Sequence, residues 1–192
     1  GEEKQMEYIG IFIDGAYLQK ISNQISSNHD RIDMEKLVRW ISEDLAIRRV
    51  YYYDCLPYQS DPPSYDERQR VSKKQKFLQI LETIDRFEVR LGRLEKRGED
   101  AKGNPIFDQK RVDLQMGLDF AFAAYRQRIS YAALLSGDSD LCPAIEAAKN
   151  EGGVITRLIH GPRGSFHNQL WSAVDERREL TSAVFDKLKL EK

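Results

Sequence analysis

Short apolar runs alternate along this chain with longer segments of helical periodicity, and this alternation constrains the fold more than any other feature. We predict strands where β-branched and aromatic residues are concentrated, at 8–13, 46–55, 87–94, 129–135 and 154–159. We predict helices where apolar residues recur every three or four positions, at 14–26, 34–41, 67–86, 110–126 and 142–150. Strands that alternate with helices indicate βαβ units. The predicted fold class is therefore α/β, with a central, mostly parallel sheet.

The remaining segments are predicted to be two loops and a C-terminal helical region. Polar loops are expected at 56–66 and 95–107, and either could close over a substrate. Residues 166–192 are predicted to be mostly helical and to pack on a single domain that spans 1–192. Four apolar residues near the C-terminus fit either core packing or a homodimer interface, and the sequence does not separate the two: Leu180, Val184, Phe185 and Leu188.

Composition excludes several classes of protein. Hydrophobic residues make up 41% of the 192 residues, which is enough for a packed core. The net charge of −1 argues against a general basic coat for nucleic acid, although 30 Lys and Arg residues leave room for a local basic surface. The two cysteines lie far apart in sequence, which favours a reducing, cytoplasmic location over a disulfide or zinc framework. No apolar run reaches the ~18 residues of a membrane span, so we expect no membrane association.

Acidic residues follow two of the predicted strands directly. Asp14 ends the apolar run 9–13, and Asp138 and Asp140 follow the run 131–135 within Ser-Gly-Asp-Ser-Asp. Ligands of open parallel sheets bind at the carboxyl ends of the strands, which is where these carboxylates are expected. Asp113 lies near the start of a helix with apolar neighbours, where an uncompensated carboxylate is costly.

Carboxylates that share one pocket repel each other unless one takes up a proton or a cation neutralises them. Mg²⁺ prefers oxygen ligands and suits phosphodiester cleavage, because a metal ion polarises the phosphoryl oxygen and stabilises the leaving oxygen. A purely structural role is the alternative for each acid, since an Asp after a strand is often a helix N-cap and an Asp in a first turn balances the helix dipole. Asp119, six residues after Asp113, could assist or simply face water.

Three blocks of the sequence resemble the NYN domain family of PIN-like ribonucleases, which includes the LabA-type proteins. The blocks are IGIFIDGAYL at 9–18, QKRVDLQMGLDF at 109–120 and ALLSGDSDLCPAIEAAKNEGG at 133–153. The resemblance implies a PIN-like three-layer α/β/α sandwich and RNA cleavage that depends on Mg²⁺ or Mn²⁺. By matching motif, the catalytic and metal-binding acids would be Asp14, Asp113, Asp138 and Asp140, with Asp119 a weaker candidate.

One position departs from the family pattern. The first block usually reads Asp-Gly-x-Asn-Leu, and Tyr17 stands here at the Asn position. This change favours a second hypothesis, a non-catalytic RNA-binding or adaptor module with the same fold. A phosphatase of the haloacid dehalogenase type also begins with an Asp after its first strand, but it needs a second Asp two residues later, where this chain has Ala16.

Substrate contacts are predicted close to the acids. Lys110 and Arg111 adjoin Asp113 and are candidates to bind phosphate; Ser136 and Ser139 could orient an aspartate or only cap a turn. Tyr17 is also a candidate substrate contact, because it stands at the family's Asn position, which the resemblance implies helps to shape the metal pocket. The lysines at 73, 74 and 76 are interpreted as a solvated face. The run Tyr51–Tyr53 should present at least one ring outward to stack a base, with core packing as the favoured alternative.

Overall fold

The computed structural model describes residues 5–126 and 128–191, which contain seven strands and seven α-helices. The strands are β1 (Tyr8–Asp14), β2 (Ala46–Cys55), β3 (Phe87–Glu99), β4 (Pro105–Lys110), β5 (Tyr131–Leu135), β6 (Ile155–His160) and β7 (Glu176–Glu179). The helices are α1 (Gly15–Ile25), α2 (Met34–Ser42), α3 (Tyr65–Glu82), α4 (Val112–Arg126), α5 (Cys142–Asn150), α6 (Asn168–Ala173) and α7 (Ser182–Leu188). A short 3₁₀ turn, Ser139–Leu141, precedes α5.

The strands form one sheet in the order β4-β3-β2-β1-β5-β6-β7. Every neighbouring pair is parallel except β3 and β4. The register pairs Asp14 of β1 with Tyr53 of β2, and Ile13 with Leu135 of β5. Because these three strands end at nearly the same level, the residues that follow them meet at one edge of the sheet.

Helices cover both faces of the sheet, as the alternation of β1 shows. Ile9, Ile11 and Ile13 pack in a core with α1, α2, α3 and α7, whereas Phe12 packs in a second core with α4, α5 and α6. Successive side chains of a strand point to opposite faces, so a strand that is apolar throughout must be buried on both sides. The predicted α/β/α sandwich with a mostly parallel central sheet is confirmed.

Side-chain caps fix where the helices begin. The Asp33 carboxylate accepts hydrogen bonds from the backbone N–H of Glu35 and Lys36 at the start of α2. Ser64 and Glu67 form a reciprocal capping box at the start of α3. These local signals explain why the predicted helix starts agree with the structure to within about two residues.

The predicted loop at 95–107 is confirmed only for residues 100–104. Residues 87–99 form one long strand that folds back on β4 as an antiparallel hairpin at the sheet edge. Charged residues are tolerated in this hairpin because an edge strand exposes one side to water and charge there discourages strand addition. The ring of Phe107 lies 4.9 Å from that of Tyr58, so the hairpin contacts the loop that follows β2.

One further prediction needs correction, and one pair of alternatives is decided. The region 166–192, expected to be mostly helical, contains the edge strand β7, whose sequence Glu-Arg-Arg-Glu has no apolar residue to signal a strand. For the run Tyr51–Tyr53, the favoured alternative of core packing is the one observed, since the three side chains are 5%, 4% and 1% exposed and no ring points outward. Helices on both faces of the sheet remove the solvent-facing side on which the prediction depended.

The C-terminal helix α7 contributes to the core. Phe185 and Leu188 pack with α1 and α2, and the backbone N–H of Asp33 donates to the carbonyl of Leu188. Of the two uses that the sequence left open for this segment, core packing is the one observed for these side chains. In residues 5–126 and 128–191, no helix is long and apolar enough to cross a membrane.

Candidate functional site

Asp14 is the last residue of β1 and also the N-cap of α1. Its Oδ1 accepts a hydrogen bond of 3.1 Å from the backbone N–H of Tyr17, so the carboxylate is held at the strand end. Burial raises its pKa most, the hydrogen bond from Tyr17 opposes that rise, and the nearby charges of Asp113 and Asp54 add to it, so that the pKa lies at about 6. Asp14 can therefore both cap α1 and take part in a metal site, because its hydrogen bond to the helix leaves its negative charge without a cationic partner.

Asp138 and Asp140 lie in the turn after β5. The Oδ1 atom of Asp138 accepts a hydrogen bond of 2.9 Å from the N–H of Asp140, and the N–H of Asp138 donates to Ser136 Oγ at 3.3 Å. Asp138 is partly buried, whereas Asp140 is exposed. The turn is tight because a Cβ on Gly137 would lie 2.5 Å from the carbonyl oxygen of Ser165.

Asp113 connects the other acids electrostatically. It lies in the first turn of α4, and its pKa is raised by burial, then by the charges of Asp138, Asp140 and Asp108. The charge of Asp113 in turn raises the pKa of Asp14. The structure thus brings the four predicted aspartates to one edge of the sheet, within electrostatic range of each other through Asp113.

These aspartates do not form a finished metal cage. Among residues 5–126 and 128–191, no three Asp, Glu, His or Cys side chains stand close enough together to hold an ion. A hard cation nevertheless suits the site in charge and donor type, because all the acids offer oxygen and burial of like charges already raises two of their pKa values. Mg²⁺ keeps several waters in its coordination shell, so it does not need every ligand to come from the protein.

A fifth acid, Asp54, lies near the end of β2 and was not predicted from the sequence. It is 3% exposed, and its Oδ2 lies 2.6 Å from the Nζ of Lys74 on α3. A signal was present, since Asp54 follows the apolar run 50–53 of β2 much as Asp14 follows the apolar run of β1. Lys74 is therefore not part of a solvated lysine face, as we predicted, but is the partner of a buried carboxylate beside the candidate site.

Asp119, the weaker candidate, is held by other residues. It accepts a hydrogen bond of 2.7 Å from the hydroxyl of Tyr53 and lies 3.3 Å from the Nε of Arg90. It neither joins the other aspartates nor faces water freely. Asp119 lies six residues after Asp113, which is about one and two-thirds turns of the helix. Its side chain therefore points to the side of α4 that contacts β3.

The predicted substrate contacts occupy different environments. Arg111 is exposed beside Asp113, in a left-handed backbone conformation with φ of 74°. Ser139 is partly buried in the turn, and Ser136 is fully buried. Lys110 ends β4, and its side chain lies outside the described part of the chain.

Tyr17 points away from solvent. It is 7% exposed, its hydroxyl lies 3.2 Å from Ser165 Oγ, and it accepts a hydrogen bond of 3.0 Å from the N–H of Gly161. Its ring also lies against Gly137, where an added Cβ would approach it to 2.6 Å. Tyr17 thus joins α1, the acidic turn and the loop after β6, and little of its surface can reach a substrate.

A cavity of about 660 Å³ adjoins the acidic turn on the β6 side. Its lining includes Arg163, Trp171 and His167, whose backbone N–H donates to the carbonyl of Gly137. Trp171 is 42% exposed, with the guanidinium of Arg177 4.2 Å from its ring centroid. A cation and an exposed aromatic ring beside the acids are groups that bind phosphate and stack bases.

The fold and its acidic edge together define a PIN-like α/β/α protein. The model of the NYN domain family matches residues 8–180, and this chain belongs to that family, whose members are typically nucleases that act on RNA. The resemblance seen in the sequence is therefore confirmed.

The solved structure of a protein of unknown function from Vibrio parahaemolyticus is similar to this chain. The TM-score is 0.66, and the match covers 99% of this chain and 100% of the other at 18% identity. At that identity the similarity shows the fold alone. No curated protein matches the sequence of this chain.

Proposed function

We propose that this protein is an endoribonuclease that hydrolyses phosphodiester bonds of single-stranded or structured RNA with the help of Mg²⁺ or Mn²⁺. The observation that carries the proposal is the convergence of Asp14, Asp113, Asp138 and Asp140 at the carboxyl edge of the sheet, where burial and the neighbouring acids raise the pKa of Asp14 and Asp113. Membership of a family of RNA-directed nucleases supports it.

The four aspartates would hold the cation, which when bound would neutralise their charge and polarise a phosphoryl oxygen. The backbone already positions two of them, since N–H groups of Tyr17 and Asp140 fix the carboxylates of Asp14 and Asp138. Preorganised carboxylates need not reorient when substrate arrives.

Cationic and aromatic residues flank the acids and would place the RNA. Arg111 is exposed next to Asp113, and Arg163 lines the adjoining cavity. Guanidinium groups bind phosphate through paired N–H donors, so they offset the repulsion between the acidic edge and the RNA backbone. Trp171 offers an exposed ring on which a base can stack.

The direct test is incubation of purified protein with labelled RNA in Mg²⁺, Mn²⁺ or EDTA. We expect cleavage with either metal and none with EDTA. Asp138→Asn should abolish cleavage, and Mn²⁺ titration by calorimetry should show weaker binding. Asp85→Asn is the matched control, because it removes the same charge from an exposed turn away from the site.

The same assay separates the alternative function. RNA that is bound without metal and left intact, with unchanged affinity in Asp138→Asn, would favour a non-catalytic RNA-binding or adaptor module. Cleavage that persists in Asp138→Asn would remove the carboxylate mechanism.

We also infer a cytoplasmic location. Cys55 and Cys142 are both free thiols, and burial raises the pKa of Cys55 to about 11, which keeps it protonated and unreactive. Free thiols are typical of reducing compartments. Localisation of a fluorescently tagged protein would test the inference.

A further inference from the structure

A groove lined by arginines lies on the α4 side of the sheet. It is near the amino ends of the central strands, whereas the aspartates lie at the carboxyl ends. It has a volume of about 490 Å³, and we call it the arginine groove after five of its lining residues: Arg48, Arg49, Arg90, Arg126 and Arg128. Arg48 and Arg49 belong to the first half of β2, and Arg126 ends α4. Arg126 lies thirteen positions after Asp113 on α4, which is a distance of about 20 Å at about 1.5 Å per residue.

The charge of the arginine groove is largely uncompensated. Arg90 pairs with Glu88 and Asp119, each at 3.3 Å. Across the described ranges, no carboxylate pairs with Arg48, Arg49, Arg126 or Arg128. Guanidinium groups that share a small volume repel each other, so an anion is the ligand that the groove lacks.

Aromatic rings hold several of these guanidinium groups in place. Arg48 lies over the ring of Tyr8 at 3.7 Å, and Arg126 lies over Phe122 at 4.9 Å. A stacked guanidinium keeps its N–H donors at the ring edge, ready for an anion. The Nε atom of Arg48 is buried and has no hydrogen-bond partner among the described residues, which leaves a donor unsatisfied in the protein alone.

The groove is open on one side, because Arg49, Arg126 and Arg128 are all exposed. An open cationic surface suits an extended phosphate chain better than a small enclosed anion. The surface of α4 between the groove and the aspartates is apolar and aromatic, with Leu118 47%, Phe122 45% and Tyr125 54% exposed. Such rings stack bases of single-stranded nucleic acid.

We propose that the arginine groove binds backbone phosphates of a single-stranded RNA segment whose other part reaches the aspartates across α4. This inference rests on the proposed nuclease function for the second part of that path, but binding at the groove does not require cleavage. It assigns the phosphodiester backbone as ligand, because paired N–H donors recognise phosphate without reading bases.

The test is equilibrium binding of a labelled 20-nucleotide RNA in EDTA, where no metal-dependent cleavage occurs. Arg48→Gln/Arg126→Gln should weaken binding about tenfold and lower the slope of log affinity against log salt by about 1.4, since each lost phosphate contact on a single strand contributes about 0.7. Arg68→Gln/Arg70→Gln is the matched control, because it removes the same charge from exposed positions on α3 and should leave both quantities nearly unchanged.

A second double variant and three competing anions complete the experiment. Arg49→Gln/Arg128→Gln, at exposed positions, replaces the first variant if circular dichroism shows that it has not folded. Inorganic phosphate or a mononucleotide that competes as well as RNA would show a small-anion site and overturn the proposal, as would an oligoglutamate of equal charge. Wild-type affinity and salt slope in both groove variants, or an equal loss in the α3 control, would overturn it as well.

The two proposals fail separately. Loss of binding in the groove variants together with absence of cleavage by the wild type would uphold the groove and reject the nuclease. Cleavage by the wild type with normal binding by the groove variants would do the reverse.

Discussion

At the scale of single residues, the ionised form of Asp14 lowers the stability of the fold, although the proposed metal site needs that negative charge. Its pKa lies at about 6 in the folded protein against an ordinary value of 3.8. The fold therefore favours the neutral carboxyl group, and the stability that this preference contributes is present below about pH 4 and lost as the pH rises through 6. Without a cation, the protein at neutral pH carries a destabilising charge.

Asp14→Asn should make the metal-free protein more stable by about 2 kcal/mol at pH 7.5, because it removes that charge and Asn caps a helix as well as Asp does. The gain should vanish at pH 4, where Asp14 is itself largely neutral. Urea unfolding in EDTA at the two pH values measures the difference, with Asp85→Asn as control. A variant that is less stable than the wild type at pH 7.5 would contradict the assignment.

The pair of Asp54 and Lys74 makes a second prediction at this scale. Lys74→Met leaves a carboxylate that is 3% exposed without its partner, and we expect a loss of about 3 kcal/mol in the free energy of unfolding. Lys73→Met, at an exposed position on the same helix, should change little.

The double variant Asp54→Asn/Lys74→Met should recover most of that loss, because no charge then remains buried. Denaturant unfolding of all four proteins gives the comparison. If Lys74→Met alone is within about 0.5 kcal/mol of wild type, the carboxylate has another compensation and the pair is not structural.

At the scale of elements, the turn after β5 depends on close packing against the loop after β6. Gly137→Ala would place a Cβ 2.5 Å from the carbonyl oxygen of Ser165 and 2.6 Å from the ring of Tyr17. We expect a loss of about 2 kcal/mol and a displaced Asp138, because a backbone atom cannot rotate aside as a side chain can.

Gly117→Ala is the matched comparison on α4. Its Cβ would meet Ala144 and Leu141 at 3.6 and 3.7 Å, which is ordinary contact, and alanine favours a helix by about 1 kcal/mol over glycine. Thermal unfolding should therefore shift in opposite directions for the two variants, by about 2–4 °C per kcal/mol. Equal effects would show that the turn is not tightly constrained.

At the scale of the whole molecule, α7 packs against a core whose other residues lie within the segment that matches the family. The family match ends at residue 180, yet Phe185 and Leu188 beyond it fill the space between α1 and α2. Deletion of residues 181–192 should lower the free energy of unfolding by about 4 kcal/mol or more, since two large apolar side chains leave the core.

Point variants separate this effect from mere shortening. Phe185→Ala should cost about 3 kcal/mol, because it opens a cavity in a site that is 1% exposed. Lys187→Ala, exposed on the same helix, should be near neutral. Calorimetric unfolding measures both, and a neutral Phe185→Ala would mean that α7 is dispensable for the fold.

The near-zero net charge results from acidic and basic regions that lie on different parts of the surface. The total of −1 conceals a carboxylate edge and an arginine groove on different parts of the surface. Charge of one sign concentrated in a groove attracts a polyanion even when the molecule as a whole is close to neutral. Composition alone could not reveal this separation.

The sequence by itself determined the strands β1, β2, β5 and β6, the first half of β3, most helix starts and the family, because apolar periodicity and N-caps act over a few residues. It also named four aspartates as candidate site residues, and the structure brings them to the carboxyl ends of the strands. It failed for the second half of β3, for β4 and for β7, where exposed strand segments at the sides of the sheet carry charges and show little apolar pattern.

Only the tertiary structure decided which side chains from distant segments meet. The pairing of Asp54 with Lys74, the contact of Tyr17 with Ser165 and the gathering of arginines from β2, β3 and α4 all follow from strand order and helix placement. Their physical cause is long-range packing of helices on both faces of the sheet, which no local pattern of residues encodes.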